Sequence, residues 1–296
     1  MWHARVAGTL LAVCIGSASG ADESYRSEIQ AWRDRREASL KAEGGWLSVA
    51  GLFWLKDGPN RFGTDAKGDI VLPAGSAPAR AGVFDLAAGK VTVTFERAVD
   101  ASLEGHPVTR AELRPDTSGS PDVVSLGRLT FFVIERDGRL AIRLKDRESP
   151  PRKAFTGLHW FDVKEDYRVT ARYVAYAEPK SIKVPNILGY TEAMPSLGYA
   201  VFERDGQEIR LEGVLEEKGA KQLFFIFRDQ TSGKETYGAG RFFYADMPKD
   251  GRIVLDFNKA YNPPCAFTAY ATCPLPPPQN WMPVRIEAGE LTYGKH

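Results

Sequence analysis

Apolar residues follow two different periods along the chain. Over residues 22–43 they recur near one helical face, and most positions between them are Arg, Asp, Glu or Lys. Gly44 and Gly45 end this run. The pattern predicts an amphipathic helix near the N-terminus. Its apolar face carries Tyr25, Ile29, Trp32 and Leu40.

After the glycine pair, the pattern changes to short apolar runs separated by turn residues, which is typical of β-strands. Asp137-Gly138 and Asp205-Gly206 each lie between two such runs, where glycine supplies the positive φ that a tight hairpin turn needs. The chain is therefore predicted to be mainly β. The runs are RFG, DIVL, KVTVTF, LTFFVI, LAIRL, RVTARYVAY, EIRLEGVL, QLFFIF and RIVLDF.

Prolines and charges interrupt the β pattern from Asp146 to Thr156. Before this break, the string from Gly58 to Phe84 resembles forkhead-associated β-sandwiches in its order of strands and loops. The phosphopeptide-binding residues of that fold are not reproduced, so that activity is not implied. We expect a sandwich with a second antiparallel β domain packed against it. The predicted segments are a signal peptide over 1–20, a helix over 21–44, the sandwich over 45–145 and the C-terminal β domain over 146–296.

The first twenty residues are typical of a secretion signal. Val6 to Ile15 is apolar, and the small residues Ala18 to Gly20 predict cleavage before Ala21. The mature protein is therefore expected in the periplasm or outside the cell. A rival interpretation makes Cys14 a lipid-anchored cysteine, but the valine before it fits that signal poorly.

The nearly equal numbers of basic and acidic residues argue against partners that are bound mainly by charge. The whole chain has 39 Lys and Arg residues against 38 Asp and Glu, and cleavage removes only Arg5 from this count. No basic stripe is present to release counterions from phosphates, so nucleic-acid binding is not expected. No later apolar run approaches the roughly 20 residues of a membrane-spanning helix. We therefore expect no integral membrane segment.

The segment Asp256–Asn280 is the most unusual part of the sequence. It is rich in aromatic residues and asparagine, and its prolines exclude a helix or a plain strand. Cys265 and Cys273 both lie in it, and in an exported protein they most simply form one disulfide. Buried free thiols and a reactive thiol are the alternatives.

The chain contains several long and distinct motifs. Through these motifs it resembles the prokaryotic domain-of-unknown-function family 1684 nearly end to end after the signal. This resemblance implies no established activity, catalytic residue or cofactor. His159 falls at a variable position of the family pattern, which argues against a histidine-based mechanism. The motifs are WRDRREASL, GWLSVAGLFWL, DRESPPRKAFTGLHWF, FRDQTSGKETYGAGRFFYADMP, DFNKAYNPPCAFTAYATCPLPP and IEAGE.

Familiar catalytic and metal-binding patterns are not found in the sequence. A serine triad needs a histidine base, and beyond residue 20 the histidines are His106, His159 and His296. Ser149 lacks the Gly-x-Ser-x-Gly elbow. The spacings of cysteine and histidine fit no zinc site, and no phosphate-binding glycine loop is present. We therefore predict no metal and no cofactor.

Polar residues in and beside the motif turns are the candidate ligand-binding group. Arginine forks and asparagine amides with aromatic walls suit a small polar ligand that carries carboxylate, phosphate or hydroxyl groups. The same residue types also lock loops, so a purely architectural role stays open. The candidates are Arg147, Arg152, Thr236, Tyr237, Arg241, Asp256, Asn258, Tyr261, Asn262 and Asn280.

The leading hypothesis is that the C-terminal motif loops form a pocket for a small polar or anionic ligand or an envelope component. One alternative is a hydrolase that uses Asp256 as acid or base, with Arg241 or Tyr237 stabilising the developing charge. Another is a structural or assembly protein with no small-molecule site. Glycoside cleavage would need a second carboxylate, for which the candidates are Asp229, Glu235 and Asp246.

Overall fold

A computed structural model describes residues 18–294 except residue 218, with side chains from residue 22 onward. The predicted signal peptide over 1–20 and the alternative lipid anchor at Cys14 lie outside the described residues, apart from the first turn of a helix that begins at Ala18. Among the described residues, no helix has the length and hydropathy needed to cross a bilayer.

The predicted N-terminal helix is confirmed. Helix α1 spans Ala18–Lys41, and Tyr25, Ile29 and Leu40 of its apolar face are buried. The chain then turns sharply at Gly45. A Cβ atom there would lie 2.3 Å from two carbonyl oxygens of the last helical turn, so only glycine fits.

Two sheets form a sandwich in the first half of the chain. The strands are β1 Val49–Trp54, β2 Gly58–Gly63, β3 Ile70–Val71, β4 Gly82–Ala87, β5 Lys90–Phe95, β6 Ala101–Leu103, β7 His106–Pro107, β8 Arg110–Leu113, β9 Val124–Leu126, β10 Leu129–Arg136 and β11 Arg139–Asp146. One sheet has the order β1-β11-β10-β9-β6-β7 and the other β3-β2-β4-β5-β8. Phe62, Phe84 and Phe131 meet between the sheets, with ring centroids 4.5 to 5.9 Å apart. This core confirms the predicted sandwich.

Both predicted hairpin turns are present. Asp137 and Gly138 join β10 to β11 with φ of 51° and 69°, and Asp205 and Gly206 have φ of 52° and 72°. Positive φ at both central residues is the type I′ geometry, whose twist matches that of the flanking strands.

A second antiparallel β region fills the other half of the chain. Its elements are the short helix α2 Pro150–Ala154 and the strands β12 Arg168–Pro185, β13 Thr191–Arg204, β14 Gln207–Gly213, β15 Gln222–Phe227, β16 Arg241–Asp246 and β17 Arg252–Asp256. One sheet has the order β14-β13-β12-β17, and β15 pairs with β16 in a separate hairpin. The fold is therefore mainly β, as predicted. The predicted segment boundaries stay predictions.

The long β12–β13 hairpin was only half predicted. Its first strand follows an apolar run, but β13 contains Pro195 and Gly198, which conceal a strand in the sequence. The register shifts between Ala175 and Lys180. A Cβ atom on Gly198 would lie 2.2 Å from the carbonyl oxygen of Val174, so glycine is required at this irregularity.

Strand β15 is buried on both faces. Phe225 stacks on Phe243 at 4.9 Å in one core, while Phe224 packs edge-on against Phe242 at 5.0 Å in another. The LFFIF run is therefore continuous rather than alternating, because neither face meets solvent. The run, predicted as a strand, lies in the core.

A fully buried ion pair connects three distant parts of the C-terminal half. Arg241 lies 3.3 Å from Asp229 and donates to the carbonyl oxygens of Ile286 and Ala288. Asp229 in turn accepts from the backbone N–H of Ile286 at 2.7 Å. Burial lowers the pKa of Arg241, while the carboxylate beside it acts in the opposite direction. Arg241, predicted as a ligand-binding candidate, thus holds the IEAGE motif in place.

Removing the acid of this pair tests its structural role. We expect Asp229→Ala to lower the free energy of unfolding by about 3–5 kcal/mol, because it leaves a buried guanidinium without its counter-charge. Urea denaturation measures the loss. Asp85→Ala, on an exposed position of β4, is the matched control and should change stability by about 0.5 kcal/mol or less. A loss of the same small size in both variants would contradict the assigned role.

Candidate functional site

The predicted polar group does not converge on one pocket. Arg147 donates to the carbonyl oxygen of Gly127 at 2.7 Å, and Arg152 donates to that of Lys41 at 2.7 Å. Both arginines are exposed or half-exposed beside α2. They tie the end of α1 and the β9–β10 turn to the start of the C-terminal half.

Thr236 and Tyr237 lie in the loop between β15 and β16. The hydroxyl of Thr236 hydrogen-bonds that of Thr231 at 2.9 Å in a buried turn. The hydroxyl of Tyr237 donates to the carbonyl oxygen of Cys265 at 3.1 Å, which fixes this loop to the 256–280 segment.

The three predicted asparagines each connect their own segment to the backbone of a distant one. Their side-chain amides donate to backbone carbonyl oxygens at 2.7 to 2.9 Å, and all three are almost completely buried. Such amides act as local backbone partners where the chain is irregular. A ligand-binding role for them stays a prediction. The pairs are Asn258 with Lys164, Asn262 with Leu291 and Asn280 with Glu212.

Asp256 lines a cleft of about 560 Å³ beside α1. Its carboxylate accepts from the hydroxyl of Tyr25 at 2.8 Å and from the backbone N–H of Asn258 at 3.2 Å, and Lys259 lies 3.6 Å away. Burial and the Asp256 charge raise the pKa of Tyr25, so this hydroxyl stays a donor. Asp246 lines the same cleft. The structure thus gives Asp256 a capping role, and its catalytic role stays a prediction.

A second cleft opens where the two halves of the chain meet, and we name it the arginine cleft. Its volume is about 600 Å³. The walls come from α1, the β10–β11 hairpin, β13, the β15–β16 hairpin and the 256–280 segment. Among its lining residues are Arg36, Arg136, Arg143, Tyr261, Thr272 and Cys273.

Arg143 is the deepest charged group of this cleft. It is only 5% exposed, and its guanidinium makes two long contacts, 3.5 Å to the carbonyl oxygen of Tyr270 and 3.4 Å to the hydroxyl of Thr272. Its Nε has no hydrogen-bond partner, and within the described chain it forms no ion pair. Trp46 lies 5.2 Å from the guanidinium. Arg143 therefore lines the cleft with a guanidinium that has, among the described residues, no counter-charge, two long hydrogen bonds and an unpaired, buried Nε.

A second arginine stands beside Arg143. Arg136 pairs with Asp116 at 2.8 Å and donates to the same Thr272 hydroxyl at 3.3 Å. Burial, and then the charge of Arg136, lower the pKa of Arg143 to about 10. The guanidinium still carries its charge at neutral pH. Two cations that share one hydroxyl form a site suited to an anion.

Arg36 brings helix α1 into the wall of the cleft. Its guanidinium lies over the ring of Tyr261 at 4.6 Å, donates to the carbonyl oxygen of Asn262 at 2.9 Å and lies 3.5 Å from Glu290. Glu290 is completely buried and accepts from the Asn262 amide at 2.7 Å. Burial raises the pKa of Glu290 to about 7, against the opposing effect of Arg36.

The cysteines lie at the edge of the same cleft. Cys273 lines it, and the backbone N–H of Cys265 donates to the sulfur of Cys273 at 3.2 Å. A hydrogen bond between the thiols lowers the pKa of Cys265 and, together with burial, raises that of Cys273. Both are free thiols in the structure, so the disulfide stays a prediction.

The sequence interpretation missed Arg136 and Arg143. Arg143 was predicted within the strand run LAIRL and Arg136 within the Glu-Arg-Asp-Gly hairpin string, whereas the predicted site residues lie in and beside other motif turns. A signal was present, because Arg143 interrupts the apolar run between Ile142 and Leu144 on a strand that is buried at all these positions. Among the described residues, no group of three or more His, Cys, Asp or Glu side chains is arranged to hold a metal ion.

The raised pKa of Glu290 predicts a pH-dependent stability. Between its ordinary pKa of 4.5 and about 7, the folded protein holds a proton that the unfolded chain has lost, so this contribution to stability falls as the pH rises. The full change is about 3 kcal/mol. We expect Glu290→Gln to flatten the decrease in unfolding free energy between pH 5 and 8, measured in urea. Glu96→Gln, on the surface, should keep the wild-type slope, and an unchanged slope in Glu290→Gln would contradict the assignment.

Comparisons with known proteins identify a family for the C-terminal half of the chain. A family model described as "Protein of unknown function (DUF1684)" matches residues 153–291. The solution NMR structure of an uncharacterised protein from Haloarcula marismortui is 34% identical, covers 49% of this chain and 81% of that chain, and has a TM-score of 0.42. A search of the curated proteins finds no match.

Two forkhead-associated domains are also similar to part of the chain. The FHA-2 domain of the ABC transporter Rv1747 of Mycobacterium tuberculosis is 27% identical, covering 30% of this chain and 77% of that domain, with a TM-score of 0.23. The FHA domain of FhaA, solved with the intracellular domain of Rv3910, is 15% identical over 32% of this chain and 97% of that domain, with a TM-score of 0.23. From the match of the family model, we conclude that the C-terminal half of the chain, over residues 153–291, belongs to the DUF1684 family.

Proposed function

We propose that the protein binds a small anionic ligand in the arginine cleft, with the guanidinium of Arg143 holding its carboxylate, phosphate or sulfonate group. The observation that supports this proposal is a buried arginine with no carboxylate partner among the described residues, at the wall of an open cavity.

The energetics of burial favour an external anion. A buried guanidinium that has lost its water needs a counter-charge and filled hydrogen-bonding positions. Arg241 has a counter-charge in Asp229 and hydrogen bonds to two carbonyl oxygens, although its Nε has no partner in the described part of the chain. Arg143 lies near the ring of Trp46 but makes only two hydrogen bonds with the described residues, both longer than the usual 2.7–3.2 Å. A bound oxyanion would supply what Arg143 lacks.

The size and walls of the cleft suit a small molecule. A volume of about 600 Å³ lies within the usual range for such sites, roughly 300–1,000 Å³. Trp46, Phe242 and Tyr261 line it and offer apolar surface to a carbon skeleton. A few polar groups among aromatic walls are typical of sites that bind one orientation of a ligand.

The proposal includes export of the protein and a disulfide between Cys265 and Cys273. The N-terminal sequence supports export. The contact between the two residues supports the disulfide, since the backbone of one already donates to the sulfur of the other. The bond would close the loop that carries Thr272, the residue shared by Arg136 and Arg143. In this way the disulfide would hold the anion site in shape.

A catalytic function at Asp256 and a purely architectural role are the competing proposals. Asp256 lies in the other cleft, where its Oδ1 accepts from Tyr25 and Asn258, while its Oδ2 makes no hydrogen bond within the described chain and lies 3.6 Å from Lys259. An architectural role accounts for most of the predicted residues. It gives no reason to bury Arg143 without a partner.

The first test removes the charge of Arg143. We expect sulfate or phosphate to raise the melting temperature of the wild type more than that of Arg143→Gln, with affinity falling by about tenfold to a hundredfold in calorimetric titration. Sulfate also stabilises proteins in general, because it is excluded from the protein surface. The measurement that decides is therefore the difference in stabilisation between the wild type and Arg143→Gln. Arg110→Gln, an exposed arginine on β8, should behave as the wild type. Equal affinities in all three proteins would rule out this site.

The second test counts thiols. We expect the exported protein, denatured without reductant, to show no free thiol beyond residue 20, while Cys273→Ser shows one. The single remaining thiol of Cys273→Ser confirms that the reagent reaches Cys265. Two titratable thiols in the wild type would exclude the disulfide and leave the anion site unaffected.

A further inference from the structure

Carboxylates line the arginine cleft together with Arg143. Glu135 is half-buried, whereas Asp137, Glu192 and Glu216 are exposed. Asp137 lies at the tip of the β10–β11 hairpin, and Glu192 lies near the start of β13. The cleft thus has a buried cation and a set of acids closer to solvent.

These acids have no cationic partner in the described part of the chain. Glu135 accepts from the hydroxyl of Thr117 at 2.9 Å, Glu192 from a tyrosine hydroxyl at 3.2 Å and Glu216 from the hydroxyl of Tyr244 at 2.6 Å. Neutral hydroxyl groups leave the negative charges uncompensated. The mouth of the cleft is therefore anionic.

The other arginines of the cleft do not balance this charge. Arg136 is neutralised by Asp116 at 2.8 Å, and Arg36 faces Glu290 at 3.5 Å. Over the described residues, the charged groups of the cleft that form no ion pair are then Arg143 and the carboxylates nearer the mouth. A ligand with only negative charge would meet repulsion from these acids before it reached Arg143.

We infer that the ligand is a zwitterion of amino-acid or short-peptide size, with its anionic end on Arg143 and its ammonium group at the carboxylates of Asp137, Glu192 and Glu216. This inference rests on the proposed function. Both sets of charges line one cavity of about 600 Å³, a volume typical of a site for a single small molecule. Met194 and Phe242 line the same cavity and give the carbon skeleton an apolar wall.

The inference is tested by removing the charge at one end of the ligand at a time and measuring the affinity. The probes are alanyl-alanine, its N-acetyl form, which keeps only the negative end, and its amide, which keeps only the positive end. We expect calorimetric titration to give the tightest binding for alanyl-alanine. The N-acetyl form should bind about tenfold more weakly, because it lacks the ammonium group and retains the repulsion.

Neutral mouth variants provide the reciprocal measurement. The triple variant Asp137→Asn, Glu192→Gln and Glu216→Gln keeps the shapes of the side chains, and asparagine tolerates the positive φ at residue 137. We expect it to bind alanyl-alanine about tenfold more weakly and sulfate more tightly than the wild type. Asp85→Asn, on the exposed face of β4, is the control and should change neither affinity.

The outcomes separate this inference from the proposed function. If sulfate binds through Arg143 and alanyl-alanine binds no better than its N-acetyl form, or not at all, the zwitterion is excluded and the anion site stands. If the triple variant fails to change sulfate affinity, the carboxylates do not act on the site and the inference is overturned. If neither probe depends on Arg143, both proposals fail.

Discussion

The structure depends on one constraint, which is the free-energy cost of removing arginine side chains from water. A buried guanidinium is stable only when anions and carbonyl oxygens replace its hydration. Arg241 meets this requirement through Asp229, and Arg36 meets it through Glu290 and a backbone carbonyl oxygen. Each of these contacts joins segments that are far apart in sequence. The buried arginines thus fix the tertiary arrangement, and Arg143 stands out because its requirement is unmet.

This constraint also explains why the 256–280 segment, after the last residue of β17, forms only three short 3-10 turns and no further strand or α-helix. Its backbone and side chains serve as partners for other elements: Asn262 for Arg36, and Thr272 for the arginines of the sandwich. A strand or helix would direct its carbonyl groups to its own ladder or turns. Prolines prevent this, and they leave carbonyl groups free to accept from arginine. The irregular composition is therefore the means by which the segment connects α1, the sandwich and the C-terminal sheet.

The sequence predicted the parts of the fold that depend on local patterns. Helix α1, the type I′ turn at Asp137 and the doubly buried strand β15 follow from periodicity and turn chemistry. The turn at Asp205 predicted only the end of β13, because Pro195 and Gly198 break the pattern of its first part, although the sheet tolerates both at an irregular register. The arginine cleft was missed for another reason. Arg143 lies between apolar neighbours on a strand, and only the packing of the 256–280 segment against that strand turns it into a site.

The claim that Arg143 binds an anion is tested most directly by crystallography with an anomalous scatterer. Crystals soaked in selenate would locate bound oxyanions without assumptions about the natural ligand. The account predicts a selenium peak in the arginine cleft, with an oxygen within hydrogen-bonding distance of the Arg143 guanidinium. Selenate bound only at exposed arginines elsewhere, with Arg143 contacted by a carboxylate such as Glu135, would contradict it.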